Sequence, residues 1–143
     1  MDYIDVITST SSMARINALA FIKGGFVPES YSFKYNTSAG LPHIEFPLNY
    51  HSDKYGYVEG AIPDNMFPLI IEGHMTGHKW AKIKLRVYSV TAGYGGEGPR
   101  DLRDLLKGAG FPIDEEAICT QKWVVDDTIS FEGDMTGMKK TNF

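Results

Sequence analysis

Trp80–Ala81–Lys82–Ile83–Lys84–Leu85–Arg86–Val87–Tyr88 alternates between two kinds of side chain. Successive side chains on a strand point to opposite faces. One face therefore carries Trp80, Lys82, Lys84, Arg86 and Tyr88, and the other carries Ala81, Ile83, Leu85 and Val87. The apolar set is a core face, so the stretch reads as the centre of a half-buried strand over 79–91. The other set joins cations that can meet phosphates to rings on which bases can stack, which is what single-stranded nucleic acid requires. An ordinary solvated sheet face, where Lys and Arg discourage edge pairing, accounts for the same residues.

Working outward, more strands are expected. Ile4 and Val6 alternate within 2–8, and Tyr31, Phe33 and Tyr35 alternate with Ser32 and Lys34. Further strands are expected over 43–48, 67–72, 118–125 and 128–132, with Pro42 and Pro47 marking an edge or bulge. Residues 27–30, 36–40 and 73–77 read as turns, 50–57 as a polar loop or hairpin, 58–65 as irregular, and 138–143 as a frayed tail. Two helices are expected. One spans about 12–23, with Met13, Ile16, Leu19 and Ala20 at helical spacing and Gly24–Gly25 as its stop. The other opens at Pro99, carries Leu102, Leu105 and Leu106, and stops at Gly108.

The 143 residues fit a single domain over 1–143, long enough to bury a core without staples. Aromatics make up 13 % of the chain, a composition that favours strands. Cys119 is the only cysteine, so no internal disulfide can form. No segment has the roughly 18 to 20 apolar residues of a membrane span. The acidic start Met1–Asp2–Tyr3–Ile4–Asp5 does not resemble a signal peptide, so a cytoplasmic location is expected.

The formal net charge is −4, which weighs against a nucleic-acid partner, but the charge is unevenly placed. Between 79 and 107, Lys79, Lys82, Lys84, Arg86, Arg100, Arg103 and Lys107 oppose Glu97, Asp101 and Asp104. Between 114 and 134, Asp114, Glu115, Glu116, Asp126, Asp127, Glu132 and Asp134 are opposed only by Lys122. The pattern suggests a basic surface beside an acidic one that could hold a protein partner.

Other constellations are weaker. Gly93–Tyr94–Gly95–Gly96–Glu97–Gly98–Pro99–Arg100 leads into a helix start, a geometry that can cradle phosphate. It lacks the Lys-Ser/Thr of a P-loop and reads more simply as a mobile connection. As a flap over a groove it would contribute Tyr94 and Arg100, with Arg103 behind them. His74 and His78 are four apart, but Gly73 and Gly77 break any helix that could turn them to one metal. His43 and His51 could join them in space though nothing in the sequence shows it, Cys119 is isolated, the adjacent Asp126 and Asp127 would point to opposite faces of a strand, and no acid–base carboxylate couple or Gly-x-Ser-x-Gly stands out. A non-enzymatic protein without metal or cofactor is expected. One internal echo remains: Glu72–Gly73–His74–Met75–Thr76–Gly77–His78–Lys79 and Glu132–Gly133–Asp134–Met135–Thr136–Gly137–Met138–Lys139 agree at six of eight positions. It reads as a reused turn.

The order of elements resembles one family. An aromatic strand is followed by Ser38–Ala39–Gly40–Leu41–Pro42–His43–Ile44–Glu45–Phe46. Then come Glu72–Gly73–His74–Met75–Thr76–Gly77–His78–Lys79–Trp80, a helix ending Leu105–Leu106–Lys107–Gly108–Ala109–Gly110–Phe111, and a closing strand pair. This layout over about 31–131 is similar to that of small phage-encoded single-stranded DNA-binding proteins with an OB-like barrel. It departs from them in ending Lys139–Lys140–Thr141–Asn142–Phe143 where they often carry an acidic tail, and in its N-terminal helix.

The expected fold is thus mainly β, a small OB-like barrel or sandwich with two short helices. The resemblance implies binding of single-stranded DNA or RNA in viral replication or recombination. Trp80, Lys82, Lys84, Arg86 and Tyr88 would form the platform, and Tyr94, Arg100 and Arg103 would guard the groove. The alternative is a protein-interaction or structural module, such as a virion component or an inhibitor of a host protein. Its motivation is the acidic balance and the tyrosines Tyr50, Tyr55 and Tyr57, a residue type common at interfaces. A homo-oligomer fits either reading. A small enzyme using His74, His78 or His51 is the third.

Overall fold

A computed structural model describes residues 2–44 and 62–141. Along the chain lie β1 (Asp2–Val6), α1 (Ser11–Lys23), β2 (Phe26–Asn36), a 3-10 turn (Asp64–Met66), β3 (Leu69–Met75) and β4 (Lys82–Val87). Then follow α2 (Glu97–Gly108), α3 (Glu115–Cys119), β5 (Thr128–Asp134) and β6 (Gly137–Lys140). The strands form one sheet in the order β1-β4-β3-β2-β5-β6. The β1–β4 pair is parallel and every other pair is antiparallel. The fold is mainly β, as expected, but the sheet is open. β1 and β6 lie at opposite edges, so these strands form neither the expected barrel nor a sandwich.

The register sorts side chains into rows. Val6–Val87–Leu69–Phe33–Phe131 and Ile4–Leu85–Ile71–Tyr31–Gly133–Met138 run across one face. Leu69, Ile71, Leu85, Val87 and Phe131 are fully enclosed there, together with Leu102, Leu105 and Leu106 of α2. Removing each such side chain from water stabilises the fold by roughly 1.5–3 kcal/mol. On the opposite face the rows read Asp5–Arg86–Ile70–Ser32–Glu132–Lys139 and Lys84–Glu72–Ser30–Asp134. A smaller apolar cluster of Ile44, Ile62 and Phe67 packs with Ile70 and Tyr88.

The helices are capped and paired by their own sequence. The Thr10 side chain accepts from the Met13 N–H and starts α1. Asp101 of α2 is buried and accepts from Ser11 Oγ at 2.6 Å and Arg15 Nε at 2.8 Å, tying the first turns of α1 and α2 together. Gly110, at φ +94°, lets the Phe111 N–H return to the Leu106 carbonyl and end the helix.

Several expected boundaries are corrected. Residues 27–30 belong to β2, where Pro28, which has no N–H, sits at a register shift between Pro28 and Ser30. The strand expected over 79–91 is only Lys82–Val87, and β3 runs through 73–75. Residues 118–125 do not form a strand. Asp114 accepts from the Ala117 N–H and, with Glu115 and Glu116 in the first turn, starts α3. Asp126 and Asp127, both at positive φ, close the tight turn from Val125 to Thr128. Of the expected tail, residues 138–140 belong to β6 rather than fraying, and 142–143 lie outside the described residues. His43 and Ile44 are not in a strand, and most of the expected elements over 43–65 lie outside the described residues.

Candidate functional site

Arg86 decides how the basic strand is read. It shares the polar face with Lys82 and Lys84, as expected, yet its side chain is only 2 % exposed. Its Nε and Nη2 donate to the two Asp5 oxygens at 2.7 and 2.9 Å, and Nη1 donates to the Ile62 carbonyl and to Asp64. The Tyr3 and Phe67 rings lie 4.6 and 4.3 Å from the guanidinium carbon. Burial raises the Asp5 pKa and outweighs the bonds from Arg86. Lys84 donates to Asp64 at 2.7 Å. Burial opposes ionisation of Asp64, but the bonds from Lys84 and Arg86 hold its carboxyl below the usual range. This cluster clasps the 3-10 turn onto the sheet, and it removes Arg86 from the surface a phosphate would need.

The other expected contacts scatter. Tyr88 leaves β4 and donates to the Pro42 carbonyl. Tyr94 is bonded to Thr91, and its ring lies against Gly96, so the glycine loop is folded around this tyrosine. Arg100 is exposed on α2, and Arg103 is paired with Asp104. The acidic stretch is divided: Asp114 holds Lys122, Glu115 holds Lys107, and Glu132 lies 3.3 Å from Lys139. Among the described residues, no group of three or more metal-ligating side chains comes together. His74 Nδ1 instead lies 2.7 Å from Glu29. No helix among them is long and apolar enough to cross a membrane.

What remains presented is the turn joining β3 to β4. The Thr76 N–H and hydroxyl both donate to the Gly25 carbonyl at 2.8 Å. Backbone bonds from His78 to Met75 and from Ala81 to His78 then fold the turn tightly. These ties leave Trp80 projecting with 85 % of its surface exposed, beside the exposed His78, Lys79 and Lys82. Lys79 has no ion-pair partner among the described residues. Lys82 donates to Glu29 at 3.0 and 3.1 Å. Bonds from His74 and Lys82 hold the Glu29 carboxyl below the usual range. At the same end of the sheet, Val27 begins β2 and Met135 tips the β5–β6 turn, 37 % and 46 % exposed.

The polar sheet face also holds a trough that sequence reading did not isolate. Ser30 and Ser32 on the central strand are short, while Ile70, Glu72, Glu132 and Asp134 on its two neighbours are long. The result is a cavity of about 490 Å³ lined by these residues and by Lys139. The available signal was small hydroxyls alternating with rings at 30–35. No family model matches the chain, and neither a curated protein nor a solved structure resembles it significantly.

Proposed function

We propose that this protein is a non-enzymatic binding module that engages another protein through the β3–β4 turn, with Trp80 as the anchor. The observation that carries the reading is the nearly complete exposure of Trp80 on a turn held by four hydrogen bonds. A large ring left in water has an unfavourable hydration cost that a partner relieves, and Trp is prominent among residues that dominate interfaces. The acidic balance of the chain and the burial of Arg86 between acids favour a protein partner over a polyanion.

Single-stranded nucleic acid is the second reading. It rests on one specific observation: Lys79, with no ion-pair partner among the described residues, adjoins the exposed indole, with His78 in the turn and Lys82 at the start of β4 close by. In this form the nucleic acid meets a projecting turn rather than the flat OB-like platform.

Site-specific photo-crosslinking from the exposed position 81 in the expressing cell tests both, with Trp80→Ala as control. A protease-sensitive adduct lost in the control supports the first reading. A nuclease-sensitive adduct replaces it with the second. Adducts unchanged by Trp80→Ala overturn both.

A further inference from the structure

The projecting turn and the trough are complementary, and the geometry points to a second copy of this chain as the partner, with Trp80 of one copy seated over Ser30 and Ser32 of the next. This rests on the reading of the β3–β4 turn as a protein-binding anchor.

Three observations carry it. The trough measures about 490 Å³, within the roughly 300–1,000 Å³ range of pockets that enclose small organic groups, so an indole fits. One wall offers Ile70 beside the short serine hydroxyls of the floor, an apolar surface for the ring with an oxygen near for the indole N–H. Its walls carry Glu72, Glu132 and Asp134 against one base, Lys139, which lies 3.3 Å from Glu132, while the turn around Trp80 carries Lys79 and His78 beside Lys82, which is bonded to Glu29. Glu72 lies opposite Lys84 across the β3–β4 ladder, and Lys79 has no ion-pair partner among the described residues. Opposite charges at the rim guide docking and fix its register.

Trp80 does not reach its own trough, being 85 % exposed and absent from the trough lining. The contact therefore joins two different surfaces. Two copies can make such a contact reciprocally, as a two-fold dimer, or in one direction only, as a closed ring or an open chain.

Sedimentation velocity on the full chain at low salt tests this with Trp80→Ala and Ser32→Arg, each checked by circular dichroism. Ser32 is an exposed strand position, so the arginine fills the trough without entering the core. If that variant does not fold, Ser30→Arg replaces it.

The wild type is expected to gain mass with concentration, and each variant alone is expected to associate about thirtyfold more weakly, as for an interface hot spot. Mixing the two folded variants should give a 1:1 dimer that cannot extend, because one retains the trough and the other the indole. A wild type that stays monomeric at all concentrations overturns the inference, as does a Trp80→Ala variant that assembles normally or a mixture that stays monomeric. If the wild type is monomeric while the crosslinked protein partner is still lost in Trp80→Ala, only self-association fails and the binding module stands.

Discussion

The segments 72–79 and 132–139 share six of eight residues and flank the same central strand, yet they are built differently. In the second, Asp134 and Gly137 pair directly and enclose a two-residue loop, with the Thr136 N–H and hydroxyl turned onto Asp134. In the first, the last pair is His74 with Lys82, the loop is long, and Thr76 reaches across to Gly25. Gly77 takes a left-handed φ of +84°, whereas Gly137 is an ordinary strand residue. Only Gly73 and Gly133 do similar work, each leaving room for an aromatic ring of β2: Phe26 beside Gly73 and Tyr31 beside Gly133. A short motif thus fixes the fit against the neighbouring strand, while the residues after it decide the loop.

The two hairpins should differ most in how they are anchored. Replacing Arg86 by Met in the first leaves Asp5 buried without its partner, and should cost about 3–5 kcal/mol by urea denaturation. Removing the corresponding surface acid of the second, Glu132→Ala, should cost no more than about 1 kcal/mol. Similar losses from both would erase the distinction between a buried clasp and a surface pair.

Alanine at the shared glycines gives the next largest effect. A Cβ at Gly73 runs into the Val27 carbonyl, which is backbone and cannot turn aside. A Cβ at Gly133 lies 2.5–2.7 Å from the Tyr31 ring and hydroxyl, which a side-chain shift can relieve. Gly73→Ala should therefore cost about 3 kcal/mol or more, and Gly133→Ala about 1–3 kcal/mol. Equal losses by thermal unfolding would show that Tyr31 is as immovable as backbone.

Threonine tests the loops themselves. Thr76→Val removes the hydroxyl bond across to Gly25, just ahead of β2, and should cost about 0.5–1.5 kcal/mol. Thr136→Val, which breaks a bond within its own turn rather than one to a distant segment, should cost less. Hydrogen exchange at the Gly77 and Gly137 amides separates the two.

The smallest effects are in titration. Glu29, bonded by His74 and Lys82, and Asp134, bonded by Thr136, should both titrate below their usual values by NMR. A carboxyl held low in the folded state contributes stability that is present above its unfolded pKa and is lost as pH falls through the folded pKa. His74→Gln should move Glu29 upward and leave Asp134 in place, and Thr136→Val should do the reverse. Movement of both carboxyls in either variant would couple turns that the structure keeps apart.

The alternation within 82–87 and at 31–35 was readable because side-chain period alone places a strand's two faces, whereas residues 80, 81 and 88 lie outside the strand. The aromatic and aliphatic core rows follow from it. Sheet closure was not readable, because it depends on which strand meets which. The alternation of Ile4 and Val6 does not say that β1 lies beside β4. The fate of Arg86 was hidden for the same reason: its partner Asp5 is 81 residues away, brought alongside only by that parallel pairing. Residues 118–125 misled differently. Their apolar side chains pack from a short helix and turn, and the cap that starts it, Asp114 followed by Glu115 and Glu116, looked like plain surface charge. The trough escaped notice because it consists of what Ser30 and Ser32 lack.

The β1–β4 pairing also imposes an order on synthesis. A ribosome adds roughly 5–20 residues per second, so Asp2–Val6 emerges several seconds before its neighbour Lys82–Val87. During that interval Val6 has no sheet partner, and Asp5 has no guanidinium to meet. β1 therefore waits for its sheet neighbour until residues 82–87 are made, and β5 and β6, translated later still, are the last able to join.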